Sequence, residues 1–101
     1  MSDPTSQPDV RLTAWVHGMV QGVGFRWWTR SRALELGLTG YAANQPDGRV
    51  LVVAQGPREA GERLLHLLEG GDWYPSRPGH VDKVDAEWSQ PEERFVGFVE
   101  R

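Results

Sequence analysis

The sequence predicts an α+β fold in which two helices cover one face of a five-stranded, antiparallel-type sheet. Three observations carry that expectation. Two segments space their apolar residues at helical intervals, five others show period-two alternation or β-branched character, and the order is strand, helix, strand, strand, helix, strand with a further short strand at the end. The 101 residues suit one small domain, burying ~60–70% of the surface that its unfolded form exposes, enough for one two-layer core.

Met1 to Asp9 is polar and carries two prolines. It lacks the apolar region of a secretory signal and is expected to be a disordered leader to a single domain over residues 10–101. Val10 to His17 alternates, with Val10, Leu12, Ala14 and Val16 on one face and Arg11, Thr13, Trp15 and His17 on the other, the mark of a half-buried first strand. Phe25 to Leu36 has neither Gly nor Pro and places Phe25, Trp28, Thr29, Ala33 and Leu36 on one helical face, with Gly37 as a stop. Leu38 to Gln45, the turn Pro46-Asp47-Gly48, and Val50 to Gln55 read as a hairpin. Pro57 opens a second helix whose stripe is Ala60, Leu64, Leu67 and Leu68, with Glu62, Arg63, His66 and Glu69 toward water and Gly70-Gly71 at its end. Asp72 to Gly79 is a loop, Val84, Ala86 and Trp88 mark a fourth strand, and Arg94 to Glu100 a short fifth. This order is that of the split βαβ, ferredoxin-like sandwich, an arrangement that hosts many activities.

The net charge is −3 and the chain holds one lysine, Lys83. Nucleic-acid footprints need clustered Lys and Arg, so no nucleic-acid partner is expected and any bound anion should be small. The absence of cysteine excludes disulfides, thiolate metal sites and a thiol nucleophile. No apolar run is long enough to span a bilayer, so no membrane partner is expected. We expect a cytoplasmic monomer.

Between the first strand and the first helix lies Gly18-Met19-Val20-Gln21-Gly22-Val23-Gly24-Phe25-Arg26. Glycines at this spacing let several main-chain N–H groups turn into one concavity, and the following helix adds unpaired N–H groups and the positive end of its dipole. Arg26 brings a permanent charge and a fork of donors matched to phosphate oxygens. Known phosphate loops are tested by what they require. A Walker loop needs Gly-Lys before Ser or Thr, whereas Phe25-Arg26 follows Gly24; a Rossmann fingerprint needs a third small residue where Trp27 stands. Both are rejected, and without a cysteine any phosphoryl transfer goes directly to water. Such a reaction asks for donors around phosphorus and one polar group to orient the water. Asn44, just before the hairpin turn, has the right chemistry, although from the residues alone it reads first as an Asx-type cap of the hairpin.

Gly18 to Arg26, the helix ending Ala33-Leu34-Glu35-Leu36-Gly37, and Leu38-Thr39-Gly40-Tyr41-Ala42-Ala43-Asn44 with Asp47-Gly48-Arg49-Val50 together resemble the acylphosphatase family. The match runs from about Val10 to Gly56 and includes two separated signatures in the right order. The resemblance implies metal-independent hydrolysis of the carboxyl–phosphate bond of acyl phosphates, giving carboxylate and inorganic phosphate, with no cofactor. It assigns phosphate binding to Arg26 and to the loop of Val20, Gln21, Gly22, Val23, Gly24 and Phe25, and the attacking water to Asn44. Departures from the family pattern are Met19, expected to point outward, the small pair Ala42-Ala43, and a longer connection over Asp72 to Pro78.

Other residues carry plainer expectations. His17 is a strand-end histidine that helps to hold the loop, His66 lies on the surface and His80 in a loop. No ligands stand at metal spacing. The scattered tryptophans belong to core and rim, with Trp28 ahead of Trp27 as the core member. Arg94-Phe95-Val96-Gly97-Phe98-Val99 faintly resembles the aromatic strand of RNA-recognition modules, but lacks the Gly after Arg and sits in an acidic chain. The remaining rival is a catalytically idle small anion-binding or regulatory module of the same fold.

Overall fold

A computed structural model describes residues 8–70 and 77–101. Most of the expected leader (1–7) and of the loop after the second helix (71–76) lies outside the described residues. The elements follow the expected order: β1 (Val10–Met19), α1 (Phe25–Glu35), β2 (Thr39–Asn44), β3 (Val50–Gly56), α2 (Arg58–Leu68), β4 (His80–Ser89) and β5 (Phe98–Glu100). They form one sheet in the order β4-β1-β3-β2-β5.

The alternation in β1 does what period two requires. Leu12, Ala14 and Val16 are fully buried and meet Ala42, Val52 and Ala54 on the helix-covered face, with Phe25, Trp28, Leu64, Leu67 and Leu68 packed above them. α1 lies over β2 and β5, α2 over β1 and β3. The middle of α2 holds a glycine, normally unfavourable in a helix, for a packing reason: a Cβ on Gly61 would come within 2.9 Å of the Trp88 ring of β4. Trp28 is buried while Trp27 is 59% exposed, as two adjacent helical positions 100° apart must divide. His80 is the first residue of β4 rather than part of a loop, 3.1 Å from Asp82.

The last strand corrects the sequence reading in two respects. Only Phe98–Glu100 pairs, and it pairs parallel to β2, so the sheet is mixed. The cause is topological. β4 occupies one edge and β5 the other, so residues 90–97 must cross the sheet before the chain can pair again. They do so over the face opposite the helices, where the Gln55 amide donates to the Glu93 carbonyl at 2.7 Å and the Phe95 ring packs edge-on against Tyr41 at 5.7 Å. Gln55 and Val53, which share that face, are buried as a result. Crossing in this way delivers β5 running with β2, so its final residues arrive beside Asn44.

Candidate active site

Four chain segments converge at one end of the sheet: the exit of β1, the start of α1, the β2–β3 turn and the end of β5. The register places Val16, Val50 and Asn44 side by side on adjacent strands. Beyond His17, β1 bulges against β4, pairing shifting between His17 and Gly18, which turns the strand end before the loop begins. A side chain at Gly18 would collide with the His80 carbonyl of β4. His17 itself binds Asp85 of β4 at 2.8 Å, so it secures the neighbouring strand at the point where β1 leaves it.

The loop is held by side chains, not by its main chain. Val20 is buried in the core at 1% exposure and Phe25 likewise. The Gln21 amide donates to two carbonyls of the hairpin turn, Gln45 O at 2.7 Å and Arg49 O at 2.9 Å. Gly22 and Gly24 adopt φ of 73° and 86° with open space where a Cβ would stand, so the backbone conformation is the reason for glycine there. Gly24 is the N-cap of α1, with no side-chain cap and no acidic residue in the first turn. The first hydrogen bond of the helix is Trp28 N–H to the Gly24 carbonyl, and the main-chain N–H groups of residues 21–26 donate to no oxygen among the described residues.

Arg26, in the first turn of α1, places a cation at the positive end of the helix dipole, where it is disfavoured by some tenths of a kcal/mol unless an anion is present. Its Nη1 donates to the Arg101 main-chain oxygen at 2.7 Å, its one hydrogen bond among the described residues. The Asn44 N–H donates to the same oxygen at 3.2 Å, and the Arg101 N–H returns a bond to Ala42 O at 2.7 Å. Arg30 Nε adds a bond to Phe98 O at 3.0 Å, and the Arg101 guanidinium stacks over Tyr41 at 4.0 Å. The structure therefore brings Arg26, Asn44 and the loop together, with Arg101 as the common post.

Asn44 does not cap the hairpin. Its side chain is exposed and makes no hydrogen bond among the described residues. Asp47 takes the capping part, accepting from Arg49 N–H at 3.0 Å and pairing with Arg49 Nε at 2.6 Å. The Arg49 N–H and, behind it, the Arg49 guanidinium hold the Asp47 carboxyl below its ordinary value of 3.8. Met19 points outward at 74% exposure, as expected. Gln21 was expected in the loop for its main chain, but two contributions, its side-chain bonds and the Arg101 oxygen, escaped the sequence reading. The Gln21 side chain was legible only as a lone amide in a glycine-rich, apolar loop, and the Arg101 oxygen, a main-chain atom, has no residue-type signal at all. Among the described residues no three His, Asp or Glu side chains cluster in a way that could hold a metal ion, and no helix is long and apolar enough to cross a membrane.

Fold and site together define a small α+β sandwich whose β1–α1 loop presents unspent amides beside an arginine. A family model described as Acylphosphatase matches residues 12–99. An acylphosphatase of Mycobacterium avium (strain 104) is 82% identical over 95 residues, covering 94% of this chain and 98% of the relative. Among solved structures, an acylphosphatase from Bacillus subtilis superposes with a TM-score of 0.80 at 28% identity, covering 91% of this chain and 98% of its own. One from Coxiella burnetii gives 0.78 at 34% identity, with 93% and 94% covered. The chain belongs to the acylphosphatase family of hydrolases.

Proposed function

We infer that this chain hydrolyses acyl phosphates to a carboxylate and inorganic phosphate by direct attack of water, with Arg26 and the amides of residues 20–25 holding the phosphoryl group and Asn44 holding the water. The observation that supports this most is the shared Arg101 oxygen, which sets the Arg26 guanidinium and the Asn44 main chain against one atom beside a loop whose N–H groups are unspent. The phosphoryl oxygens gather charge as the carboxyl–phosphate bond breaks, and preorganised amides, the α1 dipole and the Arg26 fork meet that charge without reorganisation. The Asn44 side-chain oxygen, exposed and uncommitted, accepts a hydrogen bond from the water and so turns the water's oxygen toward phosphorus. The water oxygen bonds to phosphorus, the P–O bond to the acyl group breaks with its electron pair leaving on the carboxylate, and the water's proton passes to a phosphoryl oxygen.

No metal or cofactor takes part in this scheme, because positive charge and positioning are supplied by the chain itself. Residues 10–101 act as one domain and as a cytoplasmic monomer, with the acyl phosphate as the partner. The test is phosphate release from benzoyl phosphate in the presence of EDTA. Turnover is expected to be unaffected by the chelator. No turnover would instead identify an idle anion-binding module, and turnover restored only by Mg²⁺ would overturn the metal-free scheme.

A further inference from the structure

We propose that Gln21 is a positioning residue, a splint that sets the distance between the phosphate-holding loop and the hairpin that carries Asn44. The inference rests on the division of roles just given. Its basis is how the bonds of the Gln21 amide are shared. Nε2 donates to Gln45 O at 2.7 Å and to Arg49 O at 2.9 Å, spanning from the β1–α1 loop to the far end of the β2–β3 hairpin. Neither carbonyl depends on it. Gln45 O also accepts Gly48 N–H at 3.1 Å, and Arg49 O accepts Gln45 N–H at 2.8 Å, so the turn is closed by its own main chain. Bonds that satisfy nothing otherwise orphaned contribute little to folding; what they do fix is where the two segments lie relative to each other.

The loop needs such a fix. With Gly22 and Gly24 in the left-handed region and no main-chain N–H of residues 21–26 donated to the rest of the described protein, its stops are the buried Val20 and Phe25 at either end and Gln21 between them. Val20 and Phe25 hold the loop to the core, and so preserve the amide concavity without Gln21. Among the described residues, Gln21 is the one whose side chain bonds the loop directly to the hairpin segment next to Asn44. Removing its donors is therefore expected to leave anion binding in place and to let the water-holding group drift from the line of attack, and a displacement of about 1 Å at a reacting centre costs up to ~10² in rate.

The experiment is a double-mutant cycle of Gln21→Met, which keeps the shape and removes the donors, with Asn44→Ala. The readouts are kcat on benzoyl phosphate, competitive inhibition by inorganic phosphate, and thermal melting. Asn44→Ala alone tests the underlying roles: if it leaves kcat intact, the reading of Asn44 fails and the splint falls with it. With that control met, Gln21→Met should lower kcat tenfold to hundredfold, roughly the cost of a small misplacement, while phosphate inhibition and melting stay near those of the parent. In the Asn44→Ala background it should cost no more than about twofold further, since a splint has nothing left to position. Unchanged kcat, independent multiplication of the two losses, or parallel loss of phosphate inhibition would each overturn the splint while sparing the roles of Arg26 and Asn44. Should Gln21→Met fail to fold, Gln21→Glu, whose carboxylate presents no donor to the two carbonyls, is put through the same cycle; failure of both to fold would mean that the bonds build the turn, which also overturns the inference.

Discussion

The glycine loop after β1 and the hairpin turn after β2 lie at the same end of the sheet, are of similar length, and solve the same problem in opposite ways. The hairpin turn closes on itself: Gln45 N–H donates to the Arg49 carbonyl, Gly48 N–H to the Gln45 carbonyl, and Asp47 binds both the N–H and the guanidinium of Arg49. Among the described residues, the glycine loop spends none of its amides in this way. It is secured by Val20 and Phe25 in the core and by the Gln21 side chain on the hairpin. The difference teaches what separates a structural turn from a loop whose amides are open to a ligand. A buried amide left unpaired is costly, but an exposed one held in position by side chains is available to a ligand at little cost to folding.

Arg26→Ala breaks the contrast most severely, because it removes both the charge beside the unspent amides and the bond to the Arg101 oxygen. Loss of one preorganised donor to developing charge typically costs on the order of 10² to 10³ in rate, and here the loss should reach at least that, with inhibition by inorganic phosphate weakened as well. Steady-state kinetics with and without phosphate checks both. Retained phosphate inhibition would mean that the amides alone define the anion site.

A matched pair of glycine substitutions sharpens the comparison at intermediate cost. Gly22 and Gly48 both have positive φ, 73° and 95°, and both have open space for a Cβ, so alanine at either should destabilise by about 1–2 kcal/mol through backbone strain. The effects on function should diverge. Gly22→Ala, in the loop, should weaken phosphate inhibition and lower kcat/KM beyond what its stability loss explains, whereas Gly48→Ala should leave the phosphate affinity of the folded fraction unchanged. Equal functional losses would remove the distinction between the two segments.

The smallest effect concerns the turn's own electrostatics. The folded-state pKa of Asp47 is lowered relative to the unfolded chain, so its contribution to stability is present above the ordinary carboxyl value and is lost as the pH falls through that value and below it. Denaturant unfolding should show Asp47→Asn to be less stable than the parent at neutral pH and the two converging as the pH falls well below the ordinary carboxyl value, with phosphate binding unaffected at neutral pH. A gap that persists in acid would show that the carboxylate charge is not what Arg49 recognises.

The parts legible in the sequence were those governed by neighbours along the chain. The buried face of β1, the apolar stripe of α2, the division between Trp27 and Trp28 and the glycines of the loop all follow from local periodicity or backbone freedom, and the placing of Arg26 in the first turn of α1 follows from where that helix starts. Asn44 reads from the residues alone as a turn cap; the carboxylate three residues later has the better geometry for that task.

What the residues by themselves determined, then, was the set of elements and the glycine-rich backbone of one loop. The tertiary structure decided how that loop is held and what stands opposite it. Gln21 lies 24 residues from Gln45, and Arg26 lies 75 from Arg101, separations at which no local spacing rule operates. The parallel pairing of β5 with β2 was not legible either, since it arises from the need of residues 90–97 to cross from one sheet edge to the other. That crossing decides the site: a β5 running the other way would put Phe98, not Arg101, beside Asn44, and the oxygen that holds Arg26 would stand at the opposite end of the sheet.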